Sequence, residues 1–180
     1  GDRPEDFKTP NFISMDPPLH DEQRMAVTGV VAPKNLAELE SVIRQRAGKI
    51  LDELPVGETF DWVDRVSIEL TTQMLAAIFD FPFEDRRKLT YWSDLATSTV
   101  ATGGSMPEAS RREGLMECLE VFTKLRRERE SWNPSEHNDL ITMMAHSPAT
   151  KNMDQMEYLG NLILLIVGGN DTTRNSISGG

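Results

Sequence analysis

The chain has 180 residues, 38% of them hydrophobic, which is about one domain in length and enough apolar side chain for a core. Its formal net charge of −10 argues against a nucleic-acid partner, because a phosphate-binding surface needs clustered Lys and Arg. The single cysteine, Cys118, excludes an internal disulfide and a thiolate metal cluster, and fits a reducing, cytoplasmic setting.

The opening GDRPEDFKTP is acidic and proline-rich, lacks the order of a signal peptide and contains no starting Met. With NSISGG at the other end, it leads to the expectation that residues 1–180 are part of a single domain truncated at both ends. No run approaches the roughly 20 apolar residues of a bilayer span. The longest, LILLIV at Leu162–Val167, is far shorter, so no transmembrane segment is expected.

In MDPPLHDEQRMAV, Met15–Val27, two prolines suit the first turn of a helix and Asp16 is the expected N-cap. Beyond them His20 and Arg24 stand four apart and share one helix face. Such a pair can grasp a carboxylate or phosphate, since Arg offers a planar fork of donors and His adds another. The same spacing also describes a solvated polar face.

The remaining pattern is helical almost throughout. Lys34–Leu54 places Leu36, Leu39, Ile43, Ile50 and Leu54 on one stripe, and Pro55 and Gly57 end it. Phe60–Phe81 repeats the pattern with Val63, Val66, Leu70, Met74 and Ile78, and Pro82 stops it. Phe83–Val100 reads as a further helix, and ATGGSMPEAS, residues 101–110, carries the strongest loop signal. Glu108–Trp132 is a long charged helix, Glu136–Ala145 a short one, and Asp154 is the expected N-cap of a long last helix. The expected class is all-α, in one unit with no strand.

The last helix turns from apolar to polar within one run, LLIVGGNDTT, Leu164–Thr173. Buried polar groups are costly unless bonded, so the run is either an exit to solvent or a site. Gly168 and Gly169 weaken a helix and remove side chains where something flat could approach. The hydroxyl of Thr172 can bend back to an upstream carbonyl, beside the acid Asp171. Close helix packing at the glycines accounts for the run equally well. A nucleotide cradle is not expected, since the Walker Lys and the G-x-G-x-x-G spacing are missing. His20, His137 and His146 have no metal-ligand spacing, so no metal ligand is expected in this chain.

GGNDTT at Gly168–Thr173 resembles the oxygen-activating motif of the cytochrome P-450 haem-thiolate monooxygenases, [A/G]-G-x-[D/E]-T-[T/S]. DPPLHDEQR at Asp16–Arg24 resembles the segment of the same superfamily that opens the propionate-binding helix. FISMDPPLHDEQR, VVAPKNL and VGGNDTTRNS are similar to the bacterial alkane and fatty-acid ω-hydroxylase branch. The resemblance covers essentially the whole chain. It implies a stretch of that fold running from the propionate-binding helix to the central oxygen-activating helix.

By that resemblance, His20 and Arg24 hold a propionate of haem b, Gly168 and Gly169 lie over the haem, and Asp171 and Thr172 deliver protons. Leu164, Val167, Phe12 and Ile13 touch substrate, and residues 101–110 form a mobile loop between two lid helices. The implied parent hydroxylates a medium-chain alkane at its terminal carbon with O2 and two electrons from a ferredoxin and its NADH-linked reductase. A different substrate, such as a terpenoid or fatty acid, and a non-enzymatic helical interaction domain are the alternatives. The family's haem-ligating loop, F-x-x-G-x-x-x-C-x-G, has no counterpart here, so the axial Cys is expected outside the chain and the chain alone is expected to be inactive. Cys118 reads as a packed or surface thiol. Glu84 with Arg87, and Glu108 with Arg111, read as surface ion pairs three apart.

Overall fold

Asp154 turns the chain into its longest helix. Its Oδ1 accepts the amides of Met156 at 2.8 Å and Glu157 at 2.9 Å, which leaves two fewer orphan donors in the first turn. The computed structural model describes residues 7–98 and 106–179, and within them the capped helix, α7, runs Gln155–Gly179. Among the described residues six α-helices precede it: α1 Leu19–Thr28, α2 Pro33–Asp52, α3 Glu69–Phe79, α4 Arg87–Thr97, α5 Glu108–Arg129 and α6 Leu140–His146. Among the described residues there is no strand and no helix long and apolar enough to cross a membrane.

The core is built around α7. Tyr158, Leu159, Leu162 and Ile166 of that helix are buried together with Leu75 and Phe79 of α3, Leu89, Trp92 and Leu95 of α4, and Leu115, Leu119 and Phe122 of α5. Phe122 is the hub of an aromatic cluster, stacked on Phe81 at 5.3 Å and edge-on to Phe79 at 5.4 Å. Such geometries suit the ring quadrupoles and add to the burial term. Helices α4 and α5 meet closely at Gly114, where an added Cβ would lie 2.2 Å from Leu95 Cδ1.

Several local expectations change on folding. Helix α1 opens after Pro18, with no side-chain cap, and Asp16 offers its carbonyl to the His20 amide at 3.2 Å instead of its carboxylate. The short helix begins at Leu140, capped by the Asp139 carboxylate on the Thr142 amide at 2.8 Å, while Pro134–Glu136 forms a separate 3-10 turn. Residues 101–105 of the expected mobile loop lie outside the described residues.

The segment expected as one helix over Phe60–Phe81 shows the largest change. Its first part, Val63–Ile68, is a π-helix, whose wider turn moves every following side chain round the axis. The buried face becomes Val66, Ser67, Thr71, Thr72, Leu75, Ala76 and Phe79. The expected stripe instead leaves Val63 42% exposed and Leu70, Met74 and Ile78 half-buried. On α2, only Ile50 of the expected stripe is buried, and Leu36 and Ile43 stay exposed.

Glu69 explains a further difference. Arg87 does not pair with Glu84; it reaches across to Asp64 at 2.7 Å and Glu69 at 2.9 Å. Arg86 adds a 2.6 Å contact to the other Glu69 oxygen. Burial raises the Glu69 pKa, but bonds from Gln73, Arg86 and Arg87 outweigh it and hold the carboxyl below its ordinary value. Glu108 and Arg111 do form the expected pair, at 2.8 Å.

Candidate site on helix α7

A helix turns about 100° per residue, so adjacent residues of LLIVGGNDTT face different neighbours. Gly168 and Thr172, one turn apart, lie on the exposed face, and an added Cβ at Gly168 would meet nothing within 4 Å. Gly169 faces inward, where an added Cβ would lie 2.6 Å from Leu75 Cδ2. The two glycines therefore have different surroundings: one leaves open space beside the helix, and the other lets α7 settle against α3. Leu164 and Val167, on the turn before, are half-buried.

The Thr172 hydroxyl donates to the Gly168 carbonyl at 2.8 Å, the back-bond expected from its place in the run. That carbonyl belongs to a residue with no side chain, so the hydroxyl and the open space adjoin. Such a hydroxyl keeps its lone pairs and can accept a proton or a water.

Asp171 is tied to the neighbouring helix. Its Oδ1 accepts from Ser93 Oγ at 3.1 Å, from Asn170 Nδ2 at 3.0 Å and from Arg174 Nη2 at 3.3 Å. Asn170, fully buried, in turn accepts from Thr90 Oγ1 at 3.3 Å, and Arg174 reaches Asp94 at 3.2 Å. Thr90, Ser93 and Asp94 all lie on α4, so the polar end of the run is a bonded seam between α4 and α7.

On α1, Gln23 and Val27 are buried, which leaves His20 and Arg24 on the outer side. His20 Nδ1 lies 2.8 Å from Asp21 Oδ1, and its ring is 6.3 Å from that of Phe12. Arg24 is exposed and forms no ion pair among the described residues. Phe12 is buried in the 3-10 turn Phe12–Ser14, whereas Ile13 beside it is 67% exposed. The structure thus brings Asp171 and Thr172 together on one turn and His20 and Arg24 on another.

Cys118 is buried in the core, and burial pushes its thiol pKa up, which removes thiolate character. It is a packed core residue. Among the described residues no group of His, Cys, Asp and Glu could hold a metal ion. A 540 Å³ cleft between α2 and α3 is lined by Arg46, Glu69, Phe83 and Arg86, and by no residue of either motif.

Sequence reasoning missed Ser93, Asn170 and Arg174 as partners of Asp171, and Asn161 and Gln23 as partners of the Phe12 turn. Asn161 did carry a signal, since it interrupts the apolar run YLGNLILLIV where a buried amide requires partners. Ser93 carried none, because only the packing of α4 on α7 gives it a role.

No family model matches the chain. It is 30% identical over 167 residues to cytochrome P450 119 of Sulfolobus acidocaldarius and 31% identical over 170 residues to linalool 8-monooxygenase of Pseudomonas putida. Each alignment covers 93% of this chain and 41% of the relative, so the chain spans about two fifths of the length of these relatives. Among solved structures, cytochrome P450-153 from Novosphingobium aromaticivorans matches with a TM-score of 0.86 and 46% identity, over 99% of this chain and 44% of that one. CYP153D17 from a Sphingomonas species matches over the same shares with a TM-score of 0.86 and 48% identity. With both motifs in order on an all-helical fold that superposes on these proteins over nearly its whole length, the chain belongs to the cytochrome P450 family.

Proposed function

We propose that this chain is part of a single haem-monooxygenase domain that hydroxylates medium-chain alkanes, or related aliphatics, at the terminal carbon. The observation that carries the reading is the turn Gly168–Thr172, where an open helix face, a hydroxyl and a tied carboxylate lie within one turn directly after the apolar run of α7. The overall step is R–H + O2 + 2 electrons + 2 protons → R–OH + H2O. Electrons come from a ferredoxin and its NADH-linked reductase.

The residues present fit a haem. The face at Gly168 has room for a flat group, and exposed Arg24, with no ion-pair partner among the described residues, is a free guanidinium fork for a propionate. Bound there, the haem supplies the iron at which dioxygen is reduced and the C–H bond oxidised. In this reading Gly168 clears the approach, Gly169 seats α7 against Leu75, and His20 stands with Arg24 at the propionates.

Asp171 accepts protons from solvent and passes them on, held at Oδ1 by Ser93 and Arg174 so that it stays beside Thr172. The Thr172 hydroxyl holds the water through which the protons travel. Leu164 and Val167 provide an apolar wall, with Phe12 and Ile13 on the turn ahead of α1, and such a wall excludes water from the reacting carbon. The alkane class rests on the resemblance of both motifs to the ω-hydroxylase branch and on the identity to the two P450-153 structures.

The test is turnover of the complete haem-loaded enzyme with n-octane, O2, ferredoxin, reductase and NADH. 1-Octanol formed in step with NADH consumption is the expected result. A haem protein that leaves n-octane untouched but oxidises linalool would overturn the alkane assignment and favour the terpenoid alternative, which the relative named linalool 8-monooxygenase supports. Failure to take up haem would overturn the monooxygenase reading and leave a helical interaction domain.

A further inference from the structure

The turn Phe12–Ser14 has its own anchor. The Phe12 amide donates to Asn161 Oδ1 at 2.9 Å, 149 residues away along the chain. A backbone N–H can only donate, so that bond orients the Asn161 amide, and its Nδ2 then faces Gln23 Oε1 at 3.3 Å. The Gln23 amide is oriented in turn, and its Nε2 donates to Glu157 Oε1 at 2.6 Å. Every link follows from the first. Asn161 and Gln23 are each 1% exposed, so neither can turn to water for a substitute partner.

A second feature at the same place is independent of these side chains. An added Cβ at Gly160 would lie 2.0 Å from the Pro10 carbonyl oxygen and 2.6 Å from that of Thr9. The segment ahead of the turn therefore lies directly on the α7 backbone. Asn161 comes one turn after Glu157 and three residues before Leu164. One helix thus holds both the anchor of the Phe12 turn and the apolar residues Leu164 and Val167.

We propose that Asn161 is a positioning residue for substrate selection: by pinning the Phe12 amide it sets the distance between the Phe12–Ile13 turn and the Leu164–Val167 wall, and so which carbon of an aliphatic chain is presented. This rests on the monooxygenase reading for its consequence, but not for the anchor itself. A slot bounded by a free loop would accept chains in several registers. The bonds fix the turn against both α7 and α1, and an apolar slot so bounded would discriminate by one methylene.

The test compares the complete haem-loaded enzyme with its Asn161→Leu and Asn161→Ser variants, the second losing the reach of the amide with a smaller change in apolar character. The first measurement is hydrogen exchange at the Phe12 amide without substrate, expected to rise roughly tenfold in both variants as one buried hydrogen bond is lost. The second is the ratio of 1-octanol to 2-octanol formed from n-octane, expected to fall roughly threefold or more. Unchanged exchange at Phe12 in a folded variant would overturn the anchor. Faster exchange with an unchanged product ratio would leave Asn161 a structural residue and overturn its role in selection. If the parent enzyme oxidises no aliphatic at all, the monooxygenase reading and the selection role fail together, while the exchange result still decides the anchor.

Discussion

Ser93 Oγ donates to Asp171 Oδ1 across 3.1 Å and so joins α4 to the polar end of α7. The bond couples the acid of the GGNDTT run to a helix residue 78 positions earlier in the chain. It makes Ser93 a support for Asp171 within a seam that also contains Asn170, Thr90 and Arg174.

With that support removed, Ser93→Ala should leave haem uptake intact and uncouple NADH oxidation from product. The lost hydrogen bond should cost about 1 kcal/mol of stability, read as a modest fall in Tm. Asp171→Asn, which keeps the shape and removes the titratable group, should cut turnover roughly 100-fold, as expected for a lost proton-transfer residue. Steady-state turnover with parallel NADH and product assays checks both, and fully coupled turnover in Asp171→Asn would remove it from the proton path.

Thr172 offers a cleaner comparison, because its hydroxyl is exposed and, among the described residues, bonds within α7 to the Gly168 carbonyl. Thr172→Ala should uncouple the reaction without lowering Tm, whereas Thr172→Ser should stay close to the parent. Equal coupling in all three proteins would show that the hydroxyl holds no needed water.

Gly168 and Gly160 should respond differently to alanine. Gly168→Ala adds a methyl group where nothing lies within 4 Å and gains helix propensity, so the protein without haem should be stabilised by about 1 kcal/mol while haem affinity falls. Gly160→Ala meets the Pro10 carbonyl and should destabilise by about 2 kcal/mol or more, since backbone cannot give way as a side-chain tip can. Thermal melts with and without haem distinguish the two outcomes.

Arg24→Ala should weaken haem retention, because the exposed guanidinium is the free fork of α1, and Arg24→Lys should restore the charge but not the bidentate geometry. Titration of the stripped protein with haem checks this. Equal affinity in all three would exclude Arg24 from the propionates.

The Glu69 cluster predicts the acid response. Its carboxyl is held below the ordinary value of 4.5, so the stabilisation is fully present above that pH and is lost as the pH falls through the depressed native value. Glu69→Gln should lower stability by about 2 kcal/mol at neutral pH, because Arg86 and Arg87 lose their shared partner, and should flatten the pH dependence below about pH 4.5. Urea unfolding at a series of pH values tests it, with Glu108→Gln at the exposed Arg111 pair as the comparison expected to change little.

Much of this architecture was legible before folding. Periodicity located the helices, and Asp154 marked the start of α7 because a carboxylate before an amphipathic run meets the orphan amides of the first turn. The Thr172 back-bond was equally local, since a hydroxyl in a helix lies one turn from the carbonyl it can reach. What such reasoning missed was long-range or changed the phase of a helix. The π-helix Val63–Ile68 rotated the buried face of α3 away from the expected stripe. Arg87 found Asp64 and Glu69 across a helix interface in preference to Glu84 on its own turn.

The sequence by itself determined the residue types of the candidate site: an acid and a hydroxyl after an apolar helical run, and a His and an Arg on one turn after two prolines. Local sterics and hydrogen-bonding chemistry suffice for those, and the two motifs identify the family. Only the tertiary structure decided which atoms each group faces. It turned Gly168 to open space and Gly169 to Leu75, bound Asp171 to Ser93, and pinned Phe12 to Asn161. The reason is physical: buried polar atoms must find partners, and which partners lie within reach is set by how helices distant in sequence pack, a quantity no short stretch of chain contains.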